Sequence, residues 1–136
     1  MMQALMDTGP WVALIDRSEE KHDECTDWFR HFEGSIFSSE AVLTEILYLL
    51  NFSFKAQAAA IEFVLNGAIT LVPSSHDSLK RVKKLMEKYK DTPMDYADAT
   101  LVSLAEDLSI RHVVTLDCTG FEIYKLPFKQ SFILLP

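Results

Sequence analysis

Two aspartates, Asp95 and Asp98, stand three residues apart in the stretch PMDYADATLVSLAE. A helix beginning there carries both acids on one side of its first turn, just ahead of an inner face that is almost purely aliphatic. Three further acids sit in apolar settings: Asp7 at the end of QALMD, Glu45 inside VLTEILYLL and Asp117 at the end of VVTLD. Glu45 has Leu43, Ile46, Leu47 and Leu49 around it and no basic residue nearby in sequence. A buried ionised carboxylate costs several kcal/mol unless it is paired or holds a metal. Four carboxylates sharing one pocket would repel by about 4 kcal/mol per pair at ~4 Å with an effective dielectric near 20, so only a cation makes such a cluster tolerable. Hard oxygen ligands that leave room for water suit Mg²⁺ or Mn²⁺, whereas Zn²⁺ would draw on His or Cys. Asp7, Glu45, Asp98 and Asp117 are therefore the candidate ligands, with Asp95 behind them. Asp95 alone has a second explanation, as an N-cap accepting the free N–H groups of its helix. Thr8 and Thr115, next to two of the acids, can hydrogen-bond to carboxylates or to substrate, or simply finish a turn.

The elements that must position these acids follow from local pattern. QALMD is a strand, followed by a Gly-Pro turn with Pro10 at the first position of a helix. A second helix is predicted from Ser18 to His31, with Ser18 as its cap and acidic residues at its start. GSIFSS is a strand ending on a capping serine, and EAVLTEILYLL is a helix apolar on most of its circumference. Another helix from about Phe54 to Leu65 stops at Asn66-Gly67. ITLVP is a strand, Ser75 to Tyr89 and Asp95 to Asp107 are helices, RHVVTLD is a strand, and SFILL is the last one. Short strands separated by helices imply βαβ units, hence an α/β fold in three layers, with a central, mostly parallel sheet of four to five short strands. In such a sheet the ligand crevice lies beyond the carboxyl ends of the strands. Asp7 and Asp117 both point there, and Asp98 joins them if its helix starts on the same side.

The length of 136 residues and the 49% hydrophobic content suit a single domain spanning residues 1 to 136. No apolar run approaches the roughly 20 residues that cross a bilayer, and Asp7 interrupts what would be a signal peptide, so a soluble, cytoplasmic protein is expected. Cys25 and Cys118 have no metal-ligand spacing and are read as unpaired thiols. His22, His31, His76 and His112 share no ligand spacing either and are read as structural or surface groups. The net charge of −7 is unfavourable for approaching a polyanion. Its distribution is uneven, since Lys80 to Lys90 holds six basic residues and one acidic, locally +5, leaving −12 for the rest. That run is either a solvated helix face or an edge that follows phosphates, through Lys80, Arg81, Lys83 and Lys84.

DTGPWVALIDRSEEKHDEC, VLTEILYLL, MDYADATLVSLAE and VVTLD, in this order, resemble the PIN-domain nucleases, in the bacterial group typified by the VapC-like toxins. The similarity spans essentially the whole chain, and it rests on four acids in the right order and spacing. It implies that Asp7, Glu45, Asp98 and Asp117 hold one or two Mg²⁺ or Mn²⁺ ions. It also implies ribonuclease activity, and attack by a metal-activated water would leave 5′-phosphate and 3′-hydroxyl ends. An endoribonuclease that forms a homodimer and is held in check by a cognate antitoxin is expected. One departure is visible. After the fourth acid the family often continues with a basic residue and another acid before a Phe, whereas here Cys118, Thr119 and Gly120 precede Phe121, so an acid for a second metal is missing. Two other classes compete. An aspartate-based Mg²⁺ phosphotransfer or phosphatase enzyme also gathers aspartates at strand ends, but it would need a second Asp two residues after Asp7 and a lysine at a late strand end. A non-catalytic PIN-like module would use FRHFEGSIF and NFSF as sticky surface for a protein partner.

Overall fold

The computed structural model describes all residues from Met1 to Pro136. Its first strand, β1 (Met2–Met6), buries Ala4, Leu5 and Met6 completely. Helix α1 (Thr8–Ile15) follows without a loop, because Asp7 itself is the N-cap, its side chain accepting from the Thr8 N–H. Pro10 therefore occupies the third helical position, not the first as expected. It is accommodated there because the first four N–H groups of a helix have no intrahelical acceptor to lose.

The next helix also starts later than its pattern predicts. Helix α2 spans His22–His31, and Ser18 does not cap it. The Ser18 amide and hydroxyl both bond to the Asp16 side chain at 3.0 and 2.7 Å, closing a local turn that competes with helix initiation. Strand β2 (Gly34–Ser38) leads through the cap Ser39 into α3 (Glu40–Leu49). Helix α4 (Phe54–Leu65) then stops at Asn66 with Gly67 at φ +87°, the predicted stop. Strand β3 is only Thr70–Leu71, and α5 (His76–Lys88) starts at a capping box made by Ser75 and Ser78.

Helix α6 (Tyr96–Leu108) is buried continuously from Ala97 to Ala105, on its polar side as well as its aliphatic one. Strand β4 (His112–Val114) is shorter than RHVVTLD, and Asp117 lies beyond it as the N-cap of a short helix, α7 (Cys118–Ile123). That helix has no counterpart in the sequence-based expectation. Nor does the small antiparallel pair β5 (Lys125–Leu126) and β6 (Gln130–Ser131). The last strand, β7 (Ile133–Leu135), falls within SFILL.

The central sheet has five strands in the order β3-β2-β1-β4-β7, and every pairing is parallel. From β1 the chain steps outward to β2 and β3, then jumps back across β1 to β4 and β7. Right-handed crossovers consequently send α1 to α4 to one face and α5 to α7 to the other, giving a three-layer α/β/α arrangement. The packing agrees, with α1 against α2, α3 and α4, and α5 against α6. The direction reverses between β1 and β4. That switch point is where the helices diverge and a crevice opens at the carboxyl edge.

Candidate active site

Asp7 and Asp117 flank the switch point. Asp7 directly follows β1, and its amide continues the ladder by donating to the Val114 carbonyl at 2.9 Å. Only 6% exposed, its carboxylate accepts from the Thr8 N–H at 2.8 Å and from the Thr115 hydroxyl at 2.7 Å. The Thr115 hydroxyl in turn accepts from the Asp117 amide at 2.9 Å, so one side chain fixes the spacing of the two acid-bearing segments. Asp117 is exposed, and its carboxylate bends back to the Gly120 N–H at 3.3 Å. A Cβ on residue 120 would stand 2.9 Å from the other Asp117 oxygen, so any larger residue there would push that carboxylate aside.

Asp98 arrives from the opposite layer. Asp95 caps α6 by accepting from the Asp98 N–H at 2.8 Å, and the Asp98 carboxylate answers with a bond from the Asp95 N–H at 3.3 Å. Asp95 is thus the N-cap of α6, and its charge also acts on Asp98. Asp98 is 8% exposed and also accepts from the Tyr124 hydroxyl at 3.2 Å. Nothing in the sequence signalled Tyr124, which reaches Asp98 only because the chain leaving α7 runs into β5 against α6. Glu45 comes from α3, whose start is tied to α6 by a 2.8 Å bond between the hydroxyls of Ser39 and Thr100. Half-buried, the Glu45 carboxylate accepts no hydrogen bond of standard geometry. The Thr8 hydroxyl beside it is buried and has no partner either, although its proximity favours ionised Glu45.

The electrostatics tie these groups together. Burial, first of all, raises the Asp7 pKa, with the charges of Asp117 and Asp95 adding to it against the two hydrogen bonds. Burial and then Asp95 and Asp7 raise Glu45. Asp98 is pushed up to about 7 by burial, then by Asp95 and Asp7. No basic group figures among these influences, and the ion pairs of the protein, Lys21–Glu24, His31–Asp27 and Arg81–Glu106, lie elsewhere. In the arrangement seen, no three of the acids close to metal-ligating distance around one point. Asp7, Asp98 and Asp117 instead spend carboxylate oxygens on protein donors. The donor chemistry nevertheless fits a hard divalent cation: carboxylates that burden one another, no counter-charge, and an orphaned buried hydroxyl at Thr8.

Other residues singled out from the sequence are placed differently. Arg81 makes a bidentate ion pair with Glu106 that ties α5 to α6. Lys80, Lys83 and Lys84 are exposed and unpaired. His22 donates from Nδ1 to the Ala13 carbonyl at 2.6 Å, linking α2 to α1 as a structural group. Cys25 is buried and Cys118 exposed, and both are free.

Comparison with known proteins converges on one family. The chain is 24% identical over 134 residues to Ribonuclease VapC26 of Mycobacterium tuberculosis, covering 97% of this chain and 99% of that one. Its fold resembles the crystal structure of Mycobacterium tuberculosis VapC20, a Sarcin-Ricin loop cleaving toxin, with TM-score 0.75 and 19% identity over 81% of this chain and 86% of that one. A toxin-antitoxin complex from Klebsiella pneumoniae aligns with TM-score 0.65 and 19% identity, covering 87% and 89%. The PIN domain model matches residues 4–124, from β1 through the acids to Tyr124, and the chain belongs to the PIN domain family.

Proposed function

We propose that residues 1 to 136 act as one PIN-like domain that cleaves RNA internally by phosphodiester hydrolysis, with Mg²⁺ or Mn²⁺ held by Asp7, Asp98, Asp117 and Glu45. The observation that carries this reading is that Asp7, Glu45 and Asp98 all have raised pKa values from burial and mutual repulsion, with no base to relieve them, at the switch point of a parallel sheet. Family membership and the ribonuclease name of a relative similar over nearly its whole length support it. A bound divalent ion supplies an acidified water and positive charge at the phosphate. The chain's own groups do the rest. Thr115 holds one Asp7 oxygen and the Asp117 amide, Tyr124 and the Asp95 N–H hold one Asp98 oxygen, and these bonds fix how the three aspartates are oriented. Glu45, whose pKa is raised by burial and by the charges of Asp95 and Asp7, serves as a ligand or orients the attacking water. Attack by water leaves 5′-phosphate and 3′-hydroxyl ends.

Lys80, Lys83 and Lys84 on the exposed side of α5 follow the RNA backbone and offset the net charge of −7. Exposed Leu49, Phe52, Phe54 and Leu65 on and between α3 and α4 form apolar surface suited to a homodimer and to an antitoxin. A similar fold occurring in a toxin-antitoxin complex supports the toxin of such a pair, acting in the cytoplasm. No helix is long and apolar enough to cross a membrane. The test is incubation of purified protein with labelled RNA in Mg²⁺, Mn²⁺ or chelator. Cleavage with either ion, none with chelator, and none by Asp7→Asn are expected. Metal-independent cleavage, or an Asp7→Asn protein as active as the parent, would overturn the assignment.

A further inference from the structure

Beside the acids, between the outer side of α3 and the start of α6, lies a hollow of about 510 Å³. Glu45 and Asp95 form part of its wall, and the rings of Tyr48 and Tyr96 line it as well. We propose that Tyr48 and Tyr96 are a stacking platform for one unpaired base next to the scissile phosphate. The inference rests on the ribonuclease reading and names the part of the substrate that this side of the cleft receives.

Three observations lead there. Tyr48 is 72% exposed and Tyr96 43%, a large cost in exposed aromatic area for residues with no role in the core. Neither ring packs against another aromatic, whereas the buried Tyr89, Phe121 and Tyr124 do. The walls decide the chemistry: they offer two aromatic faces and no lysine or arginine to hold a phosphate, so the moiety that enters is a neutral ring, and a base splayed from a single strand is the neutral ring that RNA offers. Continuity with the acids through Glu45 and Asp95 sets the distance. A base held here belongs to a nucleotide at or adjoining the cleaved bond, not to a remote one.

The test uses the full chain and short oligoribonucleotides carrying 2-aminopurine at successive positions, with Ca²⁺ replacing Mg²⁺ to suppress cleavage. Wild-type protein should quench one position adjoining the cleavage point. Tyr48→Ala and Tyr96→Ala should each lose that quenching and weaken binding by about 5- to 100-fold, the range expected for one stacked base. Tyr48→Phe and Tyr96→Phe should retain both, since the ring and not the hydroxyl does the stacking. In cleavage assays with Mg²⁺, the alanine variants should raise KM and leave kcat within about threefold. No quenching at any position, alanine variants that bind as tightly as the parent, or phenylalanine variants as weak as alanine would each overturn the proposal. So would alanine variants that merely convert a dimer to a monomer on gel filtration, which would place the rings in a subunit interface. Quenching without metal-dependent cleavage would instead remove the ribonuclease reading and leave the platform standing.

Discussion

Replacing Asp98 by asparagine isolates what the acids cost one another. The carboxyl is raised from 3.8 to about 7, by burial first and then by Asp95 and Asp7. At about 1.4 kcal/mol per pH unit, keeping it ionised in the folded state costs roughly 4 kcal/mol as an upper bound. Solvent in the cleft screens part of this, and asparagine forgoes about 0.5 kcal/mol of charge–dipole attraction at the start of α6. A net gain of about 1–3 kcal/mol is expected at about pH 8. The sign follows from proton binding. With its pKa higher in the folded than in the unfolded state, Asp98 supports folding fully below about pH 4, and that support disappears as pH rises through about 7. Urea unfolding without divalent cations should therefore find Asp98→Asn and the parent equally stable near pH 4, with the variant pulling ahead toward pH 8. Adding Mg²⁺ should stabilise the parent at the higher pH and the variant much less, because an ion that binds only the folded state adds stability through its own affinity. A variant destabilised by the same amount at both pH values would refute the reasoning, since Asp98 would then be a hydrogen-bonding cap and not a charge held against its neighbours.

Thr115→Val removes the donor to Asp7 and the acceptor of the Asp117 amide, and cleavage rates should fall about 10- to 100-fold with a small change in thermal midpoint. Gly120→Ala sets a methyl group 2.9 Å from the Asp117 carboxylate, and displacing that acid should weaken Mn²⁺ binding, read by titration calorimetry, more than it lowers stability. Arg81→Ala strands Glu106, whose side chain is 12% exposed, and should cost about 1–3 kcal/mol in urea unfolding while leaving RNA affinity nearly unchanged. Lys83→Ala combined with Lys84→Ala should do the opposite, leaving stability alone and reducing the salt dependence of RNA binding.

How much was legible in advance depended on the range of the interaction responsible. Ser39, Ser53 and Ser75 cap their helices as short polar side chains do wherever they precede an apolar-periodic segment, and Asn66-Gly67 stops α4 for equally local reasons. The start of α2 was misplaced because two local solutions compete at Ser18, and the turn with Asp16 wins. Arg81 reads as a free cation on its own helix, and only the packing of α5 on α6 brings Glu106, 25 residues away, to its guanidinium. Tyr124 and α7 escaped notice because six residues with little periodicity carry no pattern of their own.

What the sequence determined alone is the inventory: which acids lie in apolar runs, which strands and helices alternate, and hence a parallel α/β fold. Tertiary structure alone decided the strand order and its reversal between β1 and β4, the Thr115 bridge from Asp7 to Asp117, and the burial and mutual repulsion that hold Asp98 near neutrality. The division has a physical cause. Caps, turns and periodicity depend on neighbours within a turn or two, whereas desolvation and charge coupling depend on which distant segments exclude water from the same few ångströms.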